Sequence, residues 1–269
     1  MPIVEWAHMK AQEVQALAAE NTVVILPVAS IEQHGPHLPV MTDTRLGHEV
    51  AIRAANKAWS QRKTLVAPVI WSGLSEHHMA YGGTLTISHA TFRALLTDLI
   101  QAITRHGFRD ILISNSHGGN DIALKSLLDE LAPTLDATLV ATTYVMEAGD
   151  RYHGIMEDQK SIMHAGEGET SMMMVCEPGL VDTSDLAALN VPSTGGPAFL
   201  GAGRASYRWR PLPHVTPNGV IGAPEKANVE KGEKLLDIGA QSLAELIIDP
   251  ATWAAPQDLR NPQNNEDAT

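Results

Sequence analysis

Glu32 and His34 sit one residue apart directly after the β-branched apolar run from Thr22 to Val28. In extended backbone, side chains two residues apart point to the same side, so this carboxylate and imidazole can face one ion together. Asp43 follows nine residues after His34, past a Gly35-Pro36 turn that can fold the chain back toward them. A mixed oxygen and nitrogen ligand set of this kind suits zinc, manganese or iron(II). Two further segments place histidines at the ends of apolar runs: Ser75-Glu76-His77-His78 after Leu65 to Ile70, and His117-Gly118-Gly119 after Asp110 to Ser114. A fourth, His164-Ala165-Gly166-Glu167-Gly168-Glu169, adds another imidazole and two carboxylates. The duller assignment makes Glu32 a helix cap, His34 a loop hydrogen-bond partner and Asp43 the N-cap of a following helix.

These residues need elements that bring them together. Strands are expected at 22–28, 65–70, 110–114 and 138–144. Helices are expected at 11–20, 44–59 (capped by Thr42 or Asp43), 90–106, 121–131 and 228–247. The helix at 90–106 has the clearest stripe: Phe92, Leu95, Leu96, Leu99, Ile100 and Ile103. Met172 to Cys176 fits either a helix or a buried strand, with Met172, Met173 and Met174 as core filling. Strands alternating with helices imply parallel βαβ units, an α/β domain of layered αβα type with a mostly parallel sheet. Ligands in such sheets gather beyond the carboxyl ends of the strands, where all the segments above emerge. One domain is expected over residues 1–255. It includes a Gly/Pro-rich excursion at 177–227, read as a lid or subunit contact, and is followed by a flexible polar tail at 256–269.

Composition narrows the function class. Hydrophobic residues make up 44% and charged residues 19%, as in an ordinary globular protein. The formal net charge is −12, which disfavours nucleic-acid backbones and anionic membranes as partners. Cys176 is the only cysteine, so neither a disulfide framework nor a thiolate metal site is available. Without a secretory h-region near Met1, or an apolar run of membrane-spanning length, a cytoplasmic protein is expected.

Four separated segments resemble the creatininase (creatinine amidohydrolase) family. They are Ile25 to Pro39 with Thr42-Asp43, Gly82-Gly83-Thr84, Asn115-Ser116-His117-Gly118-Gly119-Asn120, and His164 to Ser171. Asn218 to Gly222, Lys226-Ala227 and Lys231 to Glu233 are similar to its C-terminal segment. The resemblance implies an α/β amidohydrolase with two divalent ions per chain (zinc, manganese or iron), assembled as a homo-oligomer, often a hexamer. Carried over by position, Glu32, His34, Asp43 and His117 fall on metal ligands, with Asp43 bridging, and Glu169 falls on the fifth. Glu167 is the alternative fifth ligand, otherwise a solvated surface charge. His164 falls on a histidine that assists proton transfer. Two departures stand out: creatininase itself has a glutamate where this chain has Gly119, and tryptophans just before the histidine matching His164, where residues 144–163 have none.

The chemistry expected of such a set is C–N bond hydrolysis. Two ions about 3.5 Å apart lower the pKa of a shared water and polarise a carbonyl, while His164 exchanges a proton with the leaving nitrogen. The expected substrate is a small cyclic amide, imide or lactam. A metallopeptidase or formamide deformylase of the same family is the alternative, and a non-catalytic metal-stabilised scaffold the distant one. Ser75, His77, Gly118 and Gly119 are the candidate substrate contacts; His37 reads as structural. Ser116 beside His117 makes a poor nucleophile, because sequence neighbours rarely face each other.

Overall fold

The computed structural model describes residues 2–157, 159–191, 209–256 and 259–260. Its frame is a four-stranded parallel sheet of β1 (Val23–Val28), β2 (Thr64–Val66), β3 (Asp110–Asn115) and β4 (Thr138–Thr143), in the order β2-β1-β3-β4. Around it lie α1 (Ala11–Ala18), α2 (Thr42–Ala58), α3 (His89–Arg105), α4 (Asp121–Leu131), α5 (Tyr144–Ala148), α6 (Glu167–Cys176), α7 (Val229–Ile248) and α8 (Pro250–Trp253).

Alternation along the central strands builds two apolar layers. Val23 and Ile25 of β1 and Leu112 of β3 pack against Leu46 and Val50 of α2, Met172 of α6, and Leu235 and Leu243 of α7. Val24, Leu26 and Val28, with Ile111 and Ile113, pack on the other face against Phe92, Leu96 and Ile100 of α3 and Leu124 and Leu127 of α4. Each such aliphatic side chain contributes about 1.5–3 kcal/mol when taken fully out of water, so the strands that carry the site are firmly seated on both faces.

The second strand is shorter than the apolar run implies: Thr64–Val66 rather than 65–70. Pro68 cannot donate to the ladder, and the chain leaves the sheet until Ile70 rejoins β1 opposite Val28. Pro27 fits the same gap. Ile25 and Pro27 offer their carbonyls to Ala67 and Ile70, so the donor that Pro27 lacks faces the side where β2 has already ended. The residues at 172–176 are helical, within α6, with Met172 and Met173 fully buried.

Neither Thr42 nor Asp43 caps α2. The N-cap is Met41, and Thr42 donates its hydroxyl back to the Pro39 carbonyl at 2.7 Å. Asp43 therefore lies inside the first turn, where the helix dipole favours an anion. The described parts of 177–227 hold three short 3-10 turns, Pro178–Leu180, Leu186–Leu189 and Leu212–His214, and a fourth at Pro224–Lys226. The segment returns to the sheet's carboxyl end, where the Ile221 N–H donates to the His164 carbonyl. Residues 192–208 of the excursion, and most of the tail, lie outside the described residues. Among the described residues, no helix is long and apolar enough to cross a membrane.

Candidate metal centre

The loop after β1 delivers Glu32 and His34 and then reverses through Gly35, whose φ of +64° belongs to the left-handed region. His117 lies two residues past the end of β3, Asp43 comes from the first turn of α2, and Glu169 from the first turn of α6. Two asparagines of the third segment tie the strand exits together. Asn120 accepts from the Leu74 N–H at 2.9 Å and donates to the Ala29 carbonyl at 3.1 Å. Asn115 accepts from the His117 N–H and donates to its carbonyl.

The side chains converge in two sets that share Asp43. In the first, His117 Nδ1 lies 3.0 Å from Glu32 Oε2 and 3.1 Å from Asp43 Oδ2. In the second, His34 Nε2 lies 3.2 Å from Asp43 Oδ1 and 3.5 Å from Glu169 Oε2. Within each set the ligand atoms are all within 4.8 Å of one another, as binding of one ion requires. The other ring nitrogens are engaged: His34 Nδ1 meets the Glu32 carbonyl at 3.1 Å, and His117 Nε2 meets the Leu74 carbonyl at 3.1 Å. An N–H spent on a carbonyl leaves the opposite nitrogen's lone pair for a cation. His34 Nε2 and Asp43 Oδ2 are buried and lack a hydrogen-bond partner, so the donor set fits a divalent ion better than it satisfies itself.

Electrostatics divide the imidazoles. Burial opposes charge on His34, but Asp43 and Glu169 outweigh it and lift its pKa to about 10. Burial also opposes charge on His117, and Glu32 and Asp43 again win, so its pKa is well above the ordinary value. Glu32, despite burial, is held well below the carboxylate range by His117 and His78. Glu169 goes the other way: burial raises it to about 7, against the pull of His34. His164, His78 and His77 are pushed down, each first by burial, the last two to about 3 and about 4.

The remaining residues singled out in the sequence take distinct places. The Ser75 hydroxyl is fully buried; it donates to Glu32 Oε2 at 2.7 Å and lies 3.1 Å from His117 Nε2 and 2.5 Å from Ser30 Oγ. Those contacts turn the hydroxyl inward, toward Glu32 and His117. His77 is nearly buried and stacks on His117 with ring centroids 5.6 Å apart. Gly118 is exposed. Gly119 lies so close to the His117 ring and the Leu74 carbonyl that a Cβ there would collide with both, which leaves no room for a glutamate. His37 meets Thr170 at 2.8 Å, and the Ser116 hydroxyl donates to the Asp43 carbonyl at 2.9 Å.

Glu167 is not a solvated surface charge. It is fully buried, accepts the Glu157 N–H with both oxygens, and pairs with Lys231 at 2.7 Å. Glu169 is the carboxylate near His34; one of its oxygens also accepts the Ala165 N–H at 2.6 Å. Two site residues escaped sequence reasoning, Gln33 and His78. His78 Nε2 is 3.3 Å from Glu32 Oε1, and Gln33 meets both His78 and His164. Gln33 stands inside the first motif, and its neutral side chain gave no sign of chemistry. For His78 the only signal was adjacency to His77, which does not say which ring turns inward.

A profile of the creatinine amidohydrolase family matches residues 7–247. The chain belongs to the creatininase family. Among its relatives, the mycofactocin precursor peptide peptidase of Mycobacterium ulcerans is 30% identical over 240 residues, 87% of each chain. The creatinine amidohydrolase of Pseudomonas putida is 29% identical over 264 residues, 90% of this chain and 93% of that one. A manganese creatininase structure superposes with a TM-score of 0.74 at 26% identity, covering 91% of this chain and 97% of the other. A creatininase structure of zinc–zinc type aligns comparably. This is thus a hydrolase of creatininase type, with an αβα fold and residues grouped to hold metal.

Proposed function

We propose that this creatininase-family enzyme hydrolyses a C–N bond of a small cyclic amide, imide or lactam at a centre for two divalent ions, zinc, manganese or iron. Glu32, Asp43 and His117 would hold one ion, and His34, Asp43 and Glu169 the other. The observation that carries this reading is the pair of ligand sets joined through the two oxygens of Asp43. When bound, two ions so placed acidify a water and polarise a carbonyl.

The protein's own part is to fix and protonate. Leu74 and Ser75 orient His117, and the Glu32 carbonyl orients His34. His164 Nδ1 lies 3.6 Å from Glu32 Oε1, its ring 4.2 Å from that of His34 by centroid, within reach of a leaving nitrogen beside the centre. It is the group suited to hand that nitrogen a proton. The near-complete burial of the ligands keeps bulk water away and strengthens each charge interaction. That enclosure, with His164 and Glu169 the least buried members, favours a compact substrate.

A second reading, a peptidase or formamide deformylase, is favoured by two observations. Gly119 has no space for the glutamate of creatininase itself, and relatives 30% identical are named as peptide peptidases. Assembly as a homo-oligomer, hexameric by resemblance, is part of the same proposal and is read by light scattering. The deciding experiment strips metal, restores zinc, manganese or iron(II), and assays each form on matched panels of cyclic imides and lactams, formamides and short peptides. Turnover of a cyclic amide supports the first reading and turnover confined to peptides or formamides the second. No turnover on any panel by a fully loaded protein contradicts both.

A further inference from the structure

Gln33 lies in sequence between two ligands, yet its side chain reaches neither ion set. Its amide is buried and makes three contacts: Oε1 accepts the Gly35 N–H at 2.9 Å, and Nε2 stands 2.9 Å from His78 Nδ1 and 2.9 Å from His164 Nε2. The backbone N–H of Gly35 can only donate, so the amide atom it meets is the oxygen, and the other end is the NH2. That NH2 has two protons and two imidazole nitrogens before it. Each imidazole must accept there, since an N–H on either would face an N–H. Gly219 presses on the same amide so closely that a Cβ at 219 would overlap its oxygen, which leaves no space for the group to turn away.

A neutral imidazole that accepts at one nitrogen carries its proton on the other. His78 is therefore protonated at Nε2, 3.3 Å from Glu32 Oε1, and His164 at Nδ1, 3.6 Å from the same oxygen. By residue type, Glu32 with His78 and His164 repeats the carboxylate–imidazole pattern of the two ion sets, and Glu32, His34 and His164 do lie close enough to group around an ion. What separates this cluster from those sets is the direction of the protons.

We propose that Gln33 is a positioning residue that sets the tautomers of His78 and His164, so that both turn an N–H toward Glu32 and neither serves as a metal ligand. The two histidines thereby become donors on one side of a centre whose other histidines are ligands. For its catalytic consequence this rests on the hydrolase reading above: His164 then keeps its proton at Nδ1, on the side of the centre. The tautomers themselves do not depend on that reading.

The test is a long-range 1H–15N correlation spectrum of histidine-labelled protein, metal-free and zinc-loaded, with signals assigned through His78→Asn and His164→Asn. The expected wild-type result is protonated Nε2 on His78 and protonated Nδ1 on His164. Gln33→Glu keeps the shape and the bond to Gly35 but offers only acceptors, so both protons should move to the nitrogens facing position 33. Gln33→Met keeps the bulk without hydrogen bonds and should leave each ring a mixture of tautomers, with kcat on any substrate reduced about 100-fold and KM little changed. A wild-type His164 protonated at Nε2, or tautomers unmoved by Gln33→Glu, would overturn the assignment, and the wild-type spectrum decides even if a variant fails to fold. Tautomers as stated in a protein that hydrolyses nothing would support the assignment of Gln33 while removing the hydrolase reading.

Discussion

His34 and His117 differ from His78 and His164 in their neighbours and in the charge those neighbours favour. All four rings lie in one buried cluster, with the His34 and His164 centroids 4.2 Å apart and those of His78 and His164 4.5 Å apart. The first pair is lifted far up the pH scale, the second pushed below its ordinary value. Burial is hostile to charge on both pairs, so the opposite outcomes come from the neighbours. His34 and His117 each face two carboxylates and spend their second nitrogen on a backbone carbonyl. His78 and His164 share the single oxygen Oε1 of Glu32 and back onto the Gln33 amide. A carboxylate excess makes a place for cations; an amide behind the ring makes a neutral donor.

The strongest way to break that contrast is Glu32→Gln, because Glu32 faces both halves. It should lose the ion held with Asp43 and His117, seen as a drop in metal per chain. Turnover should fall on the order of a thousandfold or more, since metal assistance is worth several kcal/mol at 1.36 kcal/mol per decade. Retained metal and turnover would mean that Glu32 is not a ligand. His164→Ala should separate the halves: both ions retained by elemental analysis, with kcat down about 100-fold or more. Loss of metal in that variant would place His164 among the ligands.

Much of this arrangement was legible in the sequence, for physical reasons. Strongly apolar runs ending in His or Glu mark buried parallel strands whose exits must meet, so Glu32, His34, Asp43 and His117 could be placed from spacing and resemblance. Glu169 was favoured by resemblance, with Glu167 as its alternative. The choice against Glu167 depends on Lys231 and the Glu157 backbone N–H, partners 64 and 10 residues away. Ser75 read as a substrate contact because a strand-exit serine carries no mark of whether it points in or out. The apolar run outlasts β2 because Pro68 sits among five apolar residues that keep the strand pattern while its missing N–H interrupts the ladder.

Two smaller effects come from the bracing hydroxyl and from the protonation of the rings. Ser75→Ala removes a hydroxyl that braces Glu32 and His117 together, and should weaken metal binding about 10- to 100-fold with little change in fold, measured by competition with a chelating dye. The pH dependence of the metal-free chain is subtler. His77 and His78 refuse protons until about pH 4 and 3, while the unfolded chain takes them up near 6.5, so their stability contribution is lost as pH falls below 6.5. Glu169, raised to about 7, works in the opposite direction below that value but is one group against several. His34 contributes below 6.5 and loses its contribution as pH rises toward about 10. The melting temperature should therefore peak near pH 6.5 to 7 and fall on both sides; a monotonic rise toward pH 9 would contradict the division of the histidines.

If Asp43 joins two ion sites, the metal bound per chain must show it. Elemental analysis of wild type and Asp43→Ala, each purified without chelator and then equilibrated with zinc or manganese, should give close to two ions per wild-type chain. The variant should hold well under one, because both sets lose a ligand at once. A single ion in the wild type, or a variant that keeps its full complement, would contradict the shared centre.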